Sequence, residues 1–170
     1  MTLSRAAWDQ YPVTFRMDPA ASGLELLERW MAAPNSGGFP ERLGICPVEA
    51  REGYVRIICD IDDGHANFID LVHGGVTAAL IDMAGAATVM TLLAPGQTLL
   101  TSDIAMRLLN AAPIECQRLE AVGTVSWRDH RKVIVEVVVT ALSGVVIAQG
   151  SVGASIRPGA DGSAAGASKS

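Results

Sequence analysis

The chain has 170 residues, of which 49% are hydrophobic and 18% charged, and 18 acidic against 13 basic side chains leave a net charge of −5. That balance excludes a phosphate-neutralising nucleic-acid binder and a polybasic membrane-surface protein, and 5% aromatic content is too little for base-stacking platforms. At this length a single domain with one buried core is expected.

Residues 1–42 read as an N-terminal extension. Pro12 and Pro19 interrupt its first half. Ser22, with Glu25 three residues on, then forms a capping box ahead of Leu24, Leu26, Leu27, Trp30 and Met31, which predicts a short amphipathic helix ended by residues 34–38. Segments 43–50 and 53–61 read as two strands about a turn at Arg51-Glu52-Gly53. A polar loop, 62–67, leads to the most apolar segment, 72–94.

That segment is not read as a membrane span. Its one formal charge, Asp82, lies near the middle, where a carboxylate costs roughly 2.5–3.5 kcal/mol in lipid. Glycines dilute its hydrophobicity and no basic cluster flanks it. A helix apolar on all sides requires protein on all sides. Four strand-like runs follow at 98–109, 119–129, 132–142 and 145–156. Their short connections suit an antiparallel meander. From Arg157 the chain is rich in Gly, Ala and Ser and reads as a disordered tail, 157–170. The expectation is an α+β domain over 43–156, a sheet curling around a central helix.

Cys46, Cys59 and Cys116 are odd in number and lack CxxC spacing, which argues against a disulfide scaffold or a zinc site and for a reducing, cytoplasmic setting. They read as packed thiols rather than nucleophiles. His65, Asp70 and His73 match no standard metal-ligand spacing, and no metal is expected.

Chemistry concentrates around Asn67, His73, Gly74, Gly75 and Asp82. Gly74 and Gly75 fall at the start of the apolar helix, where the first N–H groups have no partner inside the helix and the positive end of its dipole lies behind them. Such N–H groups suit a carbonyl oxygen becoming an oxyanion; they equally suit a tight loop-to-helix turn. Asp82 has Ala78, Ala79, Gly85 and Ala86 around it on the helix surface. A carboxylate on so apolar a face loses hydration, which strengthens it as a base; the alternative is a partner from another element. His73 and Asn67 read either as site residues or as a structural hydrogen-bonder and a turn residue. His73 and Asp82 are nine residues apart, about 13 Å along a helix and half a turn out of phase. One site using both requires two chains.

These residues carry a resemblance. HGG with Asp nine positions after its His, and Asn six before it, is similar to the hotdog-fold acyl-CoA thioesterases of the PaaI (phenylacetate-pathway) type. The resemblance runs from about Leu43 to Ile156 and takes in Thr101-Ser102-Asp103, Pro113 and a basic turn, Arg128 to Lys132. It implies a curved antiparallel sheet wrapped around a long central helix, and dimers or tetramers with active sites at the dimer interface. It implies that Asp82 is general base or nucleophile and that the Gly75 N–H of the other subunit polarises the thioester carbonyl. His73 and Asn67 would position thioester or water, Thr101 would orient water, and Gly74 would contact substrate. Arg128, Arg131 and Lys132 would hold the coenzyme A phosphates, or are solvated hairpin charges. Coenzyme A would enter as part of the substrate, with no separate cofactor.

Two positions depart from the family pattern: Asp70 and His130 both stand where glycine is usual. Two alternatives accompany the hydrolase reading. One is a non-catalytic acyl-CoA sensor, whose relatives typically lack the helix carboxylate. The other is an acyl-CoA hydratase or dehydratase, which uses a different Asp/His motif.

Overall fold

A computed structural model describes residues 18–34 and 38–159, and the expected tail beyond residue 159 lies outside the described residues. In chain order the elements are α1 (Gly23–Ala32), α2 (Gly38–Arg42), β1 (Ile45–Arg51), β2 (Tyr54–Asp60), α3 (Gly74–Met90), β3 (Gln97–Leu108), β4 (Arg118–Arg128), β5 (Lys132–Ala141) and β6 (Val146–Pro158). Short 3-10 turns occupy Asp63–His65 and Ile114–Cys116.

Ser22 caps α1 as the sequence predicts, accepting from the Glu25 N–H while the Glu25 carboxylate accepts from the Ser22 N–H. The Ser22 N–H, with the Ser22 hydroxyl, holds the Glu25 carboxyl below its usual range. Leu26, Leu27 and Trp30 turn into the core. The Gly23 N–H donates to the Leu93 carbonyl at 3.0 Å, which ties α1 to the far end of α3. α2 is an addition that the sequence reading does not contain.

All six strands form one antiparallel sheet in the order β1-β2-β4-β5-β6-β3. The expected meander therefore holds for β4, β5 and β6 but not for β3. Residues 109–117 carry the chain away from β3 to the far side of β5 and β6, where β4 pairs with β2, and β3 closes onto β6 as an edge strand. β6 also continues through Arg157, opposite Thr98, and Pro158, opposite Gln97, so the strand runs past the expected start of the tail. Four of the five pairings contain a register shift, and such bulges bend a sheet.

The sheet bends around α3, which buries eleven of its seventeen residues, Val76, Leu80, Ile81 and Val89 among them. The facing layer comes from alternate positions of the strands: on β5, Val133, Val135, Val137 and Val139 point inward and Glu136 outward. Among the described residues no helix is long and apolar enough to cross a membrane. Contact between α3 and the sheet is close because small residues meet there. A Cβ on Gly85 would stand 2.5 Å from Val152 Cβ, and one on Gly123 would run into the Thr88 hydroxyl. Gly85→Val is expected to lower unfolding stability by at least about 1–3 kcal/mol through overpacking, read as a reduced denaturation midpoint.

Candidate active site

Three groups of predicted residues occupy three places along α3 and its sheet. The first is the helix start. His73 is the N-cap, and its Nδ1 accepts from the Gly75 N–H at 2.9 Å. The Gly75 N–H is thus engaged within its own chain, whereas the Gly74 N–H has no partner among the described residues. Expectation and structure differ here on which glycine offers a free donor. The cause is the His73 side chain, which folds back over the first turn.

The loop before the helix is braced by Asn67. Its Oδ1 accepts from the Ile69 N–H at 2.9 Å and the Leu71 N–H at 3.1 Å, and its own N–H donates to the Leu71 carbonyl at 2.7 Å. The turn reading of Asn67 is therefore realised, which leaves only its NH2 group for a ligand. Asp70 has φ +57°. Glycine fits that left-handed conformation without cost, and Asp is among the residues that tolerate it. The family's glycine at this position has a backbone reason, and Asp70 meets it. Asp70→Val is expected to destabilise the protein by about 1–2 kcal/mol, while Asp70→Gly stays near wild type in thermal unfolding.

A cavity of about 330 Å³ opens beside this helix start. Gly74, Thr77 and Asn67 line it together with Leu71, Leu108 and Ile147. Thr77 is only 2% exposed. The sequence reading missed it, although its place one helical turn after Gly74 on the same face was a usable signal.

Asp82 and Thr101 form the second group. Thr101 on β3 donates from Oγ1 to Asp82 Oδ1 at 3.0 Å. Asp82 is half-buried, and a register shift between Thr101 and Asp103 locally re-aims β3 beside it. Thr101 is therefore a direct partner of the carboxylate. Eight residues separate Gly74 from Asp82, about 12 Å along the helix axis. The helix start lies near Leu108 and the carboxylate near Thr101, toward the two ends of β3.

The third group is the β4–β5 turn. Arg128, His130, Arg131 and Lys132 are all exposed. Asp129 Oδ1 accepts from the N–H groups of Lys132 and Arg131 at 2.6 and 2.7 Å, which hold its carboxyl below the usual range. Asp129, His130, Arg131, Lys132 and Ser155 line a second cavity of about 340 Å³. Lys132 pairs with Ser155, and Ser155 with Leu100, so this basic turn lies two strands from Thr101 at the same end of the sheet.

The other candidates do not join these groups. His65 is buried, with Nδ1 accepting from the Asp62 N–H and Nε2 3.2 Å from the Leu43 carbonyl. The Cys59 thiol donates to the Leu43 carbonyl, and burial pushes its pKa up to about 12. Burial also raises Cys46 and Cys116. These are packed thiols, as the sequence implies. Cys59 is expected to resist a thiol reagent at pH 8 in the native protein and to react on unfolding, as counted by thiol titration.

A bent antiparallel sheet wrapped around one apolar helix is now in view, with a carboxylate in mid-helix and glycines at its start. This is the hotdog fold. Residues 70–148 of the hotdog domain match the family model of the thioesterase superfamily. Zebra fish thioesterase superfamily member 2 superimposes with a TM-score of 0.64 at 25% identity, covering 79% of this chain and 98% of that one. A thioesterase family protein from Silicibacter pomeroyi gives 0.70 at 18% identity, covering 81% and 100%. A hypothetical thioesterase protein from Streptococcus pneumoniae, crystallised with coenzyme A, gives 0.61 at 17%, covering 68% and 87%. No curated protein matches the chain.

Proposed function

We propose that the protein hydrolyses a coenzyme A thioester to the free acid and coenzyme A. The observation that carries this reading is the Thr101–Asp82 hydrogen bond: a half-buried carboxylate on an otherwise apolar helix, with one oxygen held by a hydroxyl and the other left to act. Water is a poor nucleophile, so a positioned base and a preorganised donor for the developing oxyanion are the minimum equipment.

In this mechanism Asp82 takes a proton from water as the water oxygen attacks the thioester carbonyl carbon. The carbonyl oxygen gains negative charge against the Gly74 N–H, the free donor at the positive end of α3. Collapse of the tetrahedral adduct breaks the C–S bond, and the coenzyme A thiolate takes the proton that Asp82 removed from water, which restores the carboxylate. His73 holds the first turn in shape through its bond to the Gly75 N–H, and Asn67 fixes the loop leading to it. Arg131 and Lys132, with Arg128 nearby, supply cations for the nucleotide phosphates of coenzyme A.

Gly74 and Asp82 of one chain are too far apart to share a carbonyl group, so the reading requires a dimer. β3 supplies the contact. It is a twelve-residue edge strand with Leu100, Ile104 and Leu108 all exposed. An open, apolar edge of this kind is a template for strand pairing. Antiparallel pairing of two β3 strands about a centre between Ile104 and Ala105 sets Leu108 of one opposite Thr101 of the other. Gly74 of the partner subunit then faces Asp82. This isologous arrangement builds two identical sites.

Asp82→Asn is expected to remove thiol release from an acyl-CoA panel by at least about 10²-fold while mass and melting temperature hold; unchanged turnover overturns the assignment. Ile104→Asp is expected to shift the protein to monomer in sedimentation and to lose turnover with it.

A further inference from the structure

We propose that the cavity at the start of α3 is the acyl pocket and that it selects short acyl groups bearing an oxygen on C3, with Thr77 as the residue that reads that oxygen. The inference rests on the hydrolase reading above and goes further by naming the substrate class.

Thr77 is 2% exposed and lines the cavity, yet among the described residues its hydroxyl has no hydrogen-bond partner. The other buried threonines of this region behave differently. Thr88 donates to the Ala84 carbonyl at 2.8 Å, and Thr91 donates to the Thr88 carbonyl at 2.6 Å. The hydroxyl is not sealed off, so what little of Thr77 is exposed opens onto the cavity, where a polar atom entering it is the available partner. The walls around it are mostly apolar, with Leu71, Val72, Leu108 and Ile147, and Asn67 and Asn110 are the other polar residues of the lining. A polar atom on a mostly hydrocarbon group is what such a pocket would receive.

Position and size narrow the choice. Gly74 and Thr77 are one turn apart on the same helix face, about 5–6 Å between neighbouring Cβ positions. A thioester carbonyl oxygen on the Gly74 N–H and a C3 oxygen on the Thr77 hydroxyl can span that gap with a hydrogen bond at each end. The threonine hydroxyl donates or accepts, so a 3-hydroxy and a 3-oxo group both satisfy it. A volume of about 330 Å³ lies at the small end of ligand pockets, which suits a short acyl group.

The test compares 3-hydroxybutyryl-CoA with butyryl-CoA on the full-length protein. Thiol release gives kcat and KM for the wild type, Thr77→Val and Thr77→Ser, and calorimetry gives affinities in an Asp82→Asn background. The wild type is expected to favour the 3-hydroxy compound about five- to tenfold, the worth of one neutral hydrogen bond. Thr77→Val should erase that preference, read as the ratio of kcat/KM for the two compounds, and Thr77→Ser should keep it. Equal use of both compounds by the wild type, or a preference that survives in Thr77→Val, overturns the proposal and leaves the hydrolase reading standing. A binding preference without thiol release from either compound supports the pocket and overturns the hydrolase reading. Binding of neither overturns both.

Discussion

Everything in this fold depends on a helix with no polar side. α3 cannot face water, so the sheet must bend until it covers the helix. Bulges in four strand pairings provide that bend. The contact is made tight by small residues, Gly85 against Val152 and Gly123 against Thr88, so that a side chain of one layer rests directly on the backbone of the other. α1 then closes the far end of the helix through the Gly23–Leu93 hydrogen bond and the burial of Leu26, Leu27 and Trp30.

Asp82 stands out against this background. It is the one ionisable side chain on α3, and it lies where the helix meets the edge strand rather than under the middle of the sheet. There it is half-buried, within reach of Thr101 and still open to a ligand. The helix start obeys a different constraint. Its first N–H groups must find partners, and His73 satisfies one of them, leaving Gly74 beside an apolar cavity. The two ends of the proposed chemistry thus arise from separate physical requirements, burial for one and capping for the other.

Edge position gives β3 a double part. Its inner residue Thr101 holds the carboxylate, while Leu100, Ile104 and Leu108 stay exposed along a strand with a free hydrogen-bonding edge. A strand enclosed between β2 and β4, as a meander in chain order would have it, would have no free edge.

Much of this was legible in the chain itself, because it is written locally. The capping box at Ser22 and Glu25, the strand-like run of β5 and the long apolar run of α3 are periodic or short-range signals, and each appears where expected. The special residues were legible as types at a spacing: HGG and an Asp nine positions on. The structure alone decided their relations. That β3 leaves β4 and pairs with β6 follows from long-range strand pairing, which no local pattern encodes. That Thr101 meets Asp82, that His73 takes the Gly75 N–H, and that the Thr77 hydroxyl is left unpaired follow from where side chains point once the sheet has closed. Periodicity says which face a residue occupies; only packing says what it meets there.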